Sequence, residues 1–175
     1  MKLYKDEIFN FFELFNEDNG TLIRTNILDE NGNETKIIPF KRSFPELIDI
    51  GIMGHCHNNE TCKSFGVDCY QGNMNEKDMD LSDYKSIIDQ CVGKTFQVAL
   101  GGKGDPNKHL FFEDILKYTV SKGICVNMTT SGLLINEKEI DLICKYCSAV
   151  AVSFYSTIDY QTFEESNDST IKLFY

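Results

Sequence analysis

An α/β fold built on a parallel sheet is predicted by three features of this 175-residue chain. From residue 46 onward, short apolar runs alternate with helix-patterned runs. The strand-like runs are apolar at nearly every position, as strands buried on both faces are. Glycine-rich or hydroxyl-rich segments follow those runs, where α/β proteins carry their working loops. Such alternation predicts right-handed βαβ units and hence parallel strands.

The elements follow in order. Residues 3–16 carry Ile8, Phe11, Phe12, Leu14 and Phe15 between acids, and this spacing predicts a short amphipathic helix. Residues 21–28 and 34–40 are β-like runs on either side of Asn31-Gly32, which tolerates positive φ and predicts a hairpin turn. This hairpin is expected to be a lid or an appended ribbon. Residues 47–53 predict the first strand of the main sheet. Residues 81–91 predict a helix with Leu81, Tyr84, Ile87, Ile88 and Cys91 on one face. A second strand is expected over 95–100, and a helix over 110–121 that ends at Gly123. Residues 124–128 predict a third strand. A helix over 136–146 has Asn136 as N-cap and Glu139 three residues on, the capping-box spacing. Residues 148–154 predict the fourth strand. The polar stretch 157–175 does not continue the alternation. Three regions result: an extension over 1–44 with the helix and hairpin, a β/α domain over 45–156, and a tail over 157–175. The chain is expected to stop before its sheet is complete.

Composition narrows the function. With 27 acidic against 17 basic residues the formal net charge is −10, which argues against a general nucleic-acid binder. No run approaches the roughly 20 apolar residues of a membrane span. The opening Met1-Lys2-Leu3-Tyr4-Lys5-Asp6-Glu7 breaks up with charge at once, unlike a signal peptide. A cytoplasmic protein is expected. Seven cysteines are an odd number with no export signal, so a secreted disulfide framework is not expected. In a reducing compartment, clustered cysteines are metal ligands or redox groups more often than scattered ones.

The strand ends carry the chemistry-bearing residues. After the first strand come Cys56, Cys62 and Cys69. After the second comes Gly101-Gly102-Lys103-Gly104-Asp105-Pro106, and after the third Thr129-Thr130-Ser131-Gly132. Ser153 and Tyr155 lie on the fourth. In a parallel sheet all four ends face one rim, so one pocket is expected to combine soft metal ligands, backbone N–H groups, an acid and hydroxyls. The residues alone leave plainer readings open. The cysteines could hold structural zinc, with His55 or His57 as fourth ligand. The glycine segment lacks the Gly-Lys-Ser/Thr ending of a P-loop and could be a tight strand–helix connection. His109 is expected at a helix start or on the surface. Cys91, Cys125, Cys144 and Cys147 are expected in core packing, and the acidic clusters at 76–80 and 164–168 in solvated loops.

Taken together, the three-cysteine loop, Gly-Gly-x-Gly-Asp-Pro and Thr-Thr-Ser-Gly at successive strand ends resemble the N-terminal portion of a radical S-adenosylmethionine (SAM) protein. The likeness runs over residues 45–155 and is similar to an uncharacterised Gram-positive bacterial group of that superfamily. It implies an incomplete, partial TIM-like β/α barrel. It also implies that Cys56, Cys62 and Cys69 bind a [4Fe–4S] cluster with one iron left open for SAM, supporting 5′-deoxyadenosyl radical chemistry on an unknown small molecule or peptide. By position, Gly102, Gly104, Asp105 and Pro106 match the segment that holds the methionine end of SAM. Thr130 and Ser131 match the third-strand segment, and Ser153 the polar fourth-strand position. The cysteine spacing, five then six intervening residues, is wider than the family's usual three then two. Asp68 stands where a residue near adenine is normally apolar or aromatic, with Tyr70 as substitute. Only part of a six-stranded barrel is expected, so the resemblance implies a truncated or inactive copy, or a chain completed by a partner. No nucleic acid or membrane partner is expected.

Overall fold

A computed structural model of the chain describes residues 1–9, 11–26, 31–33, 41–64, 66, 69–73 and 75–153. Two sheets organise them. The first is antiparallel, with β1 (Lys2–Asp6), β2 (Phe11–Phe15) and β3 (Leu22–Asn26) in the order β1-β2-β3. The second is parallel, with β4 (Leu47–Ile50), β5 (Gln97–Leu100), β6 (Cys125–Thr130) and β7 (Cys147–Val152) side by side in sequence order. Between its strands lie the short α1 (Asn59–Ser64), then α2 (Leu81–Cys91), α3 (Phe112–Ser121) and α4 (Glu137–Tyr146). Adjacent parallel strands joined by helical crossovers wind in a single direction, as in a barrel wall.

The parallel sheet matches its prediction closely. Tyr84, Ile88 and Cys91 of α2 are buried, with Leu81 and Ile87 packed beside them. They meet Val98 and Leu100 of β5, Ile115 and Leu116 of α3, and Val126 and Met128 of β6 in one core. Tyr84 Oη lies 2.7 Å from Thr119 Oγ1, whose own proton goes to the Ile115 carbonyl at 2.8 Å, so Tyr84 donates. Burial pushes the Tyr84 phenol up to about 12. Gly123, at φ 71°, ends the turn after α3. Asn136 caps α4 in a reciprocal box with Glu139.

One sheet face differs from expectation. Val98, Leu100, Val126 and Met128 are buried under the helices, but the neighbouring positions Asp49, Ala99, Asn127 and Thr129 are polar or small and at least partly exposed. The strands are therefore apolar on one face only. Cys91 and Cys125 are buried as expected, whereas Cys144 is exposed and Cys147 half-buried. Burial first, and the Cys144 thiol second, push Cys147 up to about 12. His109 is buried rather than superficial. The Phe111 N–H donates to its Nδ1 at 3.1 Å, so Nε2 carries the proton and donates to the Met79 carbonyl at 2.9 Å.

The N-terminal segment corrects the helix expected over 3–16. It is β1, a turn and β2. Phe11, Glu13 and Phe15 are buried at alternate positions, which is strand periodicity. The adjacent pairs Phe11-Phe12 and Leu14-Phe15 satisfy both periods, and only tertiary pairing decides between them. Asp6 makes the decision local. Its Oδ1 accepts the Ile8 and Phe9 amides at 3.0 and 2.9 Å, and its Oδ2 accepts the Ser43 amide and hydroxyl at 2.7 and 2.8 Å. Burial alone would raise the Asp6 carboxyl, but these donors outweigh it and hold the group below its usual value. Gly32, in the predicted turn, has φ 77°. Its partner run 34–40 lies outside the described residues, as do Tyr155, Asp68, the cluster at 164–168 and the tail over 157–175; β3 pairs with β2.

The small sheet docks at the amino ends of the parallel strands. Phe15 stacks on Phe96, just before β5, at 5.1 Å. Lys2 Nζ donates to the Gly123 carbonyl, just before β6, at 2.6 Å. Fully buried Glu13 joins Arg24 and Arg42, both at 2.5 Å, and Arg24 also meets Glu46, just before β4. Among the described residues these contacts leave the opposite, carboxyl rim clear. Among the described residues no helix is long and apolar enough to cross a membrane.

Asp6→Ala is expected to cost about 1.5–3 kcal/mol at pH 7, the usual effect of losing hydrogen bonds to a charged group. The native carboxyl is depressed, so its contribution is complete above the unfolded value near 4 and falls away as pH drops through the native value. Urea melts of both proteins at pH 7 and pH 3 check this. The gap should narrow at pH 3, and an unchanged gap would show that the charge is not what holds the turn.

Candidate functional site

Four strand ends converge on one cavity. Its wall includes Cys56, Cys62 and Cys69 from the segment after β4, Gly102, Gly104 and Asp105 after β5, Thr130 and Ser131 at and after β6, and Ser153 after β7. Every one of these was singled out from the sequence. Two others were not brought there. Tyr70 is 77% exposed and its side chain is not on the wall. Pro106 is buried behind the cavity, opening a 3₁₀ turn over Pro106–Lys108.

Close backbone approach builds the cavity. A Cβ on Gly104, whose φ is 56°, would stand 2.4 Å from the His55 carbonyl oxygen, so only glycine lets the second loop lie against the cysteine loop. A Cβ on Gly54 would stand 2.3 Å from the Glu76 oxygen. Gly54 instead donates to Asp78 Oδ1 at 2.8 Å and accepts the Glu76 amide at 3.0 Å, which straps the segment before α2 to the end of β4. Asp78 is thus not simply part of a solvated acidic loop. Lys103 pairs with Glu76 outside the cavity.

Asp105 ties three segments together. It is 5% exposed. Its Oδ1 accepts the Ser131 amide at 2.7 Å, and its Oδ2 accepts the Ser131 hydroxyl and Asn58 Nδ2, both at 2.6 Å. Asn58 lies between the first two cysteines, and its carbonyl accepts the Cys62 amide at 2.8 Å. The acid expected to face a ligand therefore has both oxygens engaged inside the protein. The glycine loop is likewise partly closed, since the Gly104 amide donates to Gln71 Oε1 at 3.1 Å. Asn58, Asn59 and Gln71 on the wall were missed from the sequence. Asn58-Asn59 between two cysteines was the available signal, but asparagine in a loop ordinarily marks a turn.

Cys62 is buried, and Cys56 and Cys69 half-buried. Burial, then the Cys56 and Cys69 thiols, then Asp105, raise the Cys62 thiol. All three cysteines line the same cavity. Among the described residues no three His, Cys, Asp or Glu side chains stand close enough together to hold a metal ion as they are placed. The donor set nonetheless fits a thiophilic centre: three sulfurs share one wall, and no lysine or arginine competes for them among the described lining residues. His55 and His57 turn elsewhere. His55 Nδ1 meets Asp78 Oδ1 at 3.1 Å, its Nε2 meets His57 Nε2 at 3.2 Å, and neither residue lines the cavity.

No family model matches the chain, and no curated protein does. Solved structures do. Streptococcus suis SuiB bound to precursor peptide SuiA superposes with TM-score 0.65 at 16% identity, over 98% of this chain and 51% of that one. SuiB bound to S-adenosylmethionine gives 0.56 at 19%, over 75% and 31%. BtrN in complex with AdoMet and 2-DOIA gives 0.50 at 12%, over 75% and 55%. The chain spans about a third to just over half of these structures. They show the fold: a parallel α/β sheet of partial-barrel type, preceded by a small antiparallel sheet.

Asp105→Ala removes bonds worth about 1.5–3 kcal/mol each when made to a charged group. The cysteine loop should open more often, and iodoacetamide labelling of buried Cys62 in the metal-free protein should accelerate roughly tenfold for each ~1.4 kcal/mol lost. Mass spectrometry of the labelled peptide measures this. An unchanged rate would mean that Asp105 does not hold the loop.

Proposed function

We propose that this chain is the cofactor-binding part of a radical SAM-type iron–sulfur protein acting on a peptide. Cys56, Cys62 and Cys69 are the ligands of a [4Fe–4S] cluster with one open iron. Gly102, Gly104, Thr130, Ser131 and Ser153 border the SAM pocket. Asp105 and Pro106 act as positioning residues: Asp105 through Asn58 and Ser131, Pro106 by fixing the turn behind the wall. The single observation that carries this reading is the convergence of three thiols and the three other strand ends on one cavity. Bound together, cluster and SAM supply a carbon-centred radical that takes hydrogen from a substrate. The chain's own residues collect three sulfurs, exclude cationic side chains and hold the loops together.

Two of the similar structures contain SAM, and a third contains a precursor peptide, which supports SAM as cosubstrate and a peptide as substrate. The polar sheet face carrying Asp49, Asn127 and Thr129 supports a substrate with hydrogen-bonding groups. Turnover is assigned to the barrel as a whole, made with further chain or a partner. A cytoplasmic location agrees with oxygen-sensitive chemistry. The zinc reading has no observation in its favour, since both candidate histidines point away.

Anaerobic reconstitution with iron and sulfide tests the proposal. The dithionite-reduced protein should give a [4Fe–4S]⁺ paramagnetic signal that shifts when SAM is added. No cluster, or a signal indifferent to SAM, would sink it. Cys56→Ala, Cys62→Ala and Cys69→Ala should each abolish the cluster, while Cys91→Ala, a change in the core, should retain its iron. Equal iron in all four variants would remove the ligand assignment.

A further inference from the structure

The cavity wall carries two buried acceptors with no partner. Asn58 is 1% exposed, and its Oδ1 has no hydrogen-bond partner; the same is true of Asn59 Oδ1. Both residues line the cavity. The amide orientations are fixed by their neighbours. Asn58 Nδ2 faces the Asp105 carboxylate at 2.6 Å, which can only accept. Asn59 Nδ2 faces the Gly72 carbonyl at 3.0 Å, which also can only accept. Flipping either amide would set oxygen against oxygen. Each carbonyl oxygen is therefore the end left over.

A buried acceptor without a donor costs about 1–3 kcal/mol. Two on one wall call for a ligand that brings donors. The rest of the wall agrees. Among the described residues it has no lysine or arginine, it holds three cysteines and an aspartate, and Gln71 has taken the Gly104 amide. An anion would find few donors there.

We infer that Asn58 and Asn59 are recognition residues for the N–H groups of the cavity's ligand, their Oδ1 atoms accepting from an amine. This rests on the SAM reading above. SAM offers two such sources, its α-amino group and the 6-amino group of adenine, and analogues separate them.

The test uses calorimetric binding of SAM to the cluster-reconstituted full chain, with iron content as a control for folding. Asn58→Leu and Asn59→Leu should each weaken SAM about tenfold or more, the range for a hydrogen bond to a charged or buried polar group. Asn59→Asp keeps an acceptor oxygen but loses the donor to Gly72 and sets a carboxylate oxygen against its carbonyl, so the protein should lose stability while its SAM affinity stays well above that of Asn59→Leu. A purely structural role would make Asn59→Asp as harmful as Asn59→Leu, and that result overturns the inference. So does wild-type affinity in both leucine variants. Repeating the titrations with SAM lacking the α-amine and with its 6-oxo counterpart identifies the source. The compound without the contacted amine is insensitive to the substitution. Equal sensitivity of SAM and both analogues also overturns the inference. Failure of the wild-type protein to bind SAM with its cluster in place overturns the proposed function instead, while a loss confined to the variants bears on these two residues alone.

Discussion

The carboxylate of Asp105 holds the functional rim together. Loops at the ends of separate strands have no reason to meet, because each is anchored only at its base and carries its own conformational entropy. A buried polar group imposes the meeting. The Asp105 carboxyl can lie away from water only while hydrogen-bond donors surround it, and these come from Asn58 of the cysteine loop and Ser131 of the third strand end. The cysteine loop inherits its position from this acid. Gly104, one residue earlier, allows the same two loops to touch along their backbones.

Stability and chemistry occupy opposite rims. At the amino ends, the Glu13–Arg24–Arg42 cluster, the Phe15–Phe96 stack and the Lys2–Gly123 bond clamp the small sheet onto the starts of three strands. Arg42 spreads its guanidinium over Tyr4 at 3.9 Å and Phe96 at 5.2 Å, so a buried charge there also meets aromatic faces. Nothing in that cluster reaches the cavity. The carboxyl rim is correspondingly free to carry groups that are poor for stability, such as a buried thiol and unpartnered amide oxygens.

The character of the cavity follows from what its wall omits. Three sulfurs near one another and near Asp105 would repel as thiolates, and burial further disfavours charge on Cys62. A positive centre removes both difficulties at once, since ligation displaces the thiol proton and neutralises the field. The described wall residues include no lysine or arginine, which would suit both the proposed metal centre and a cationic, donor-bearing ligand.

The sequence by itself determined the parallel sheet, its three crossover helices and the rim that carries the site. Those follow from strong local signals: unambiguous periodicity over 81–91 and 110–121, the Asn136/Glu139 box, and the rule that α/β sheets work at their carboxyl ends. The tertiary structure alone decided the rest. Residues 3–16 satisfy helix and strand periods equally, and pairing with Leu22–Asn26 together with the Asp6 turn chose strands. Tyr70 and Gln71 are neighbours in sequence, yet one faces solvent and the other the cavity. Asp105, matched by its motif to a ligand-holding segment, bonds within the protein to Asn58 and Ser131, because the identity of a hydrogen-bond partner depends on what folds against a side chain and not on its place in the chain. For the same reason Asn58 and Asn59, ordinary loop residues in the sequence, acquire their meaning only from the carboxylate and carbonyl that orient them.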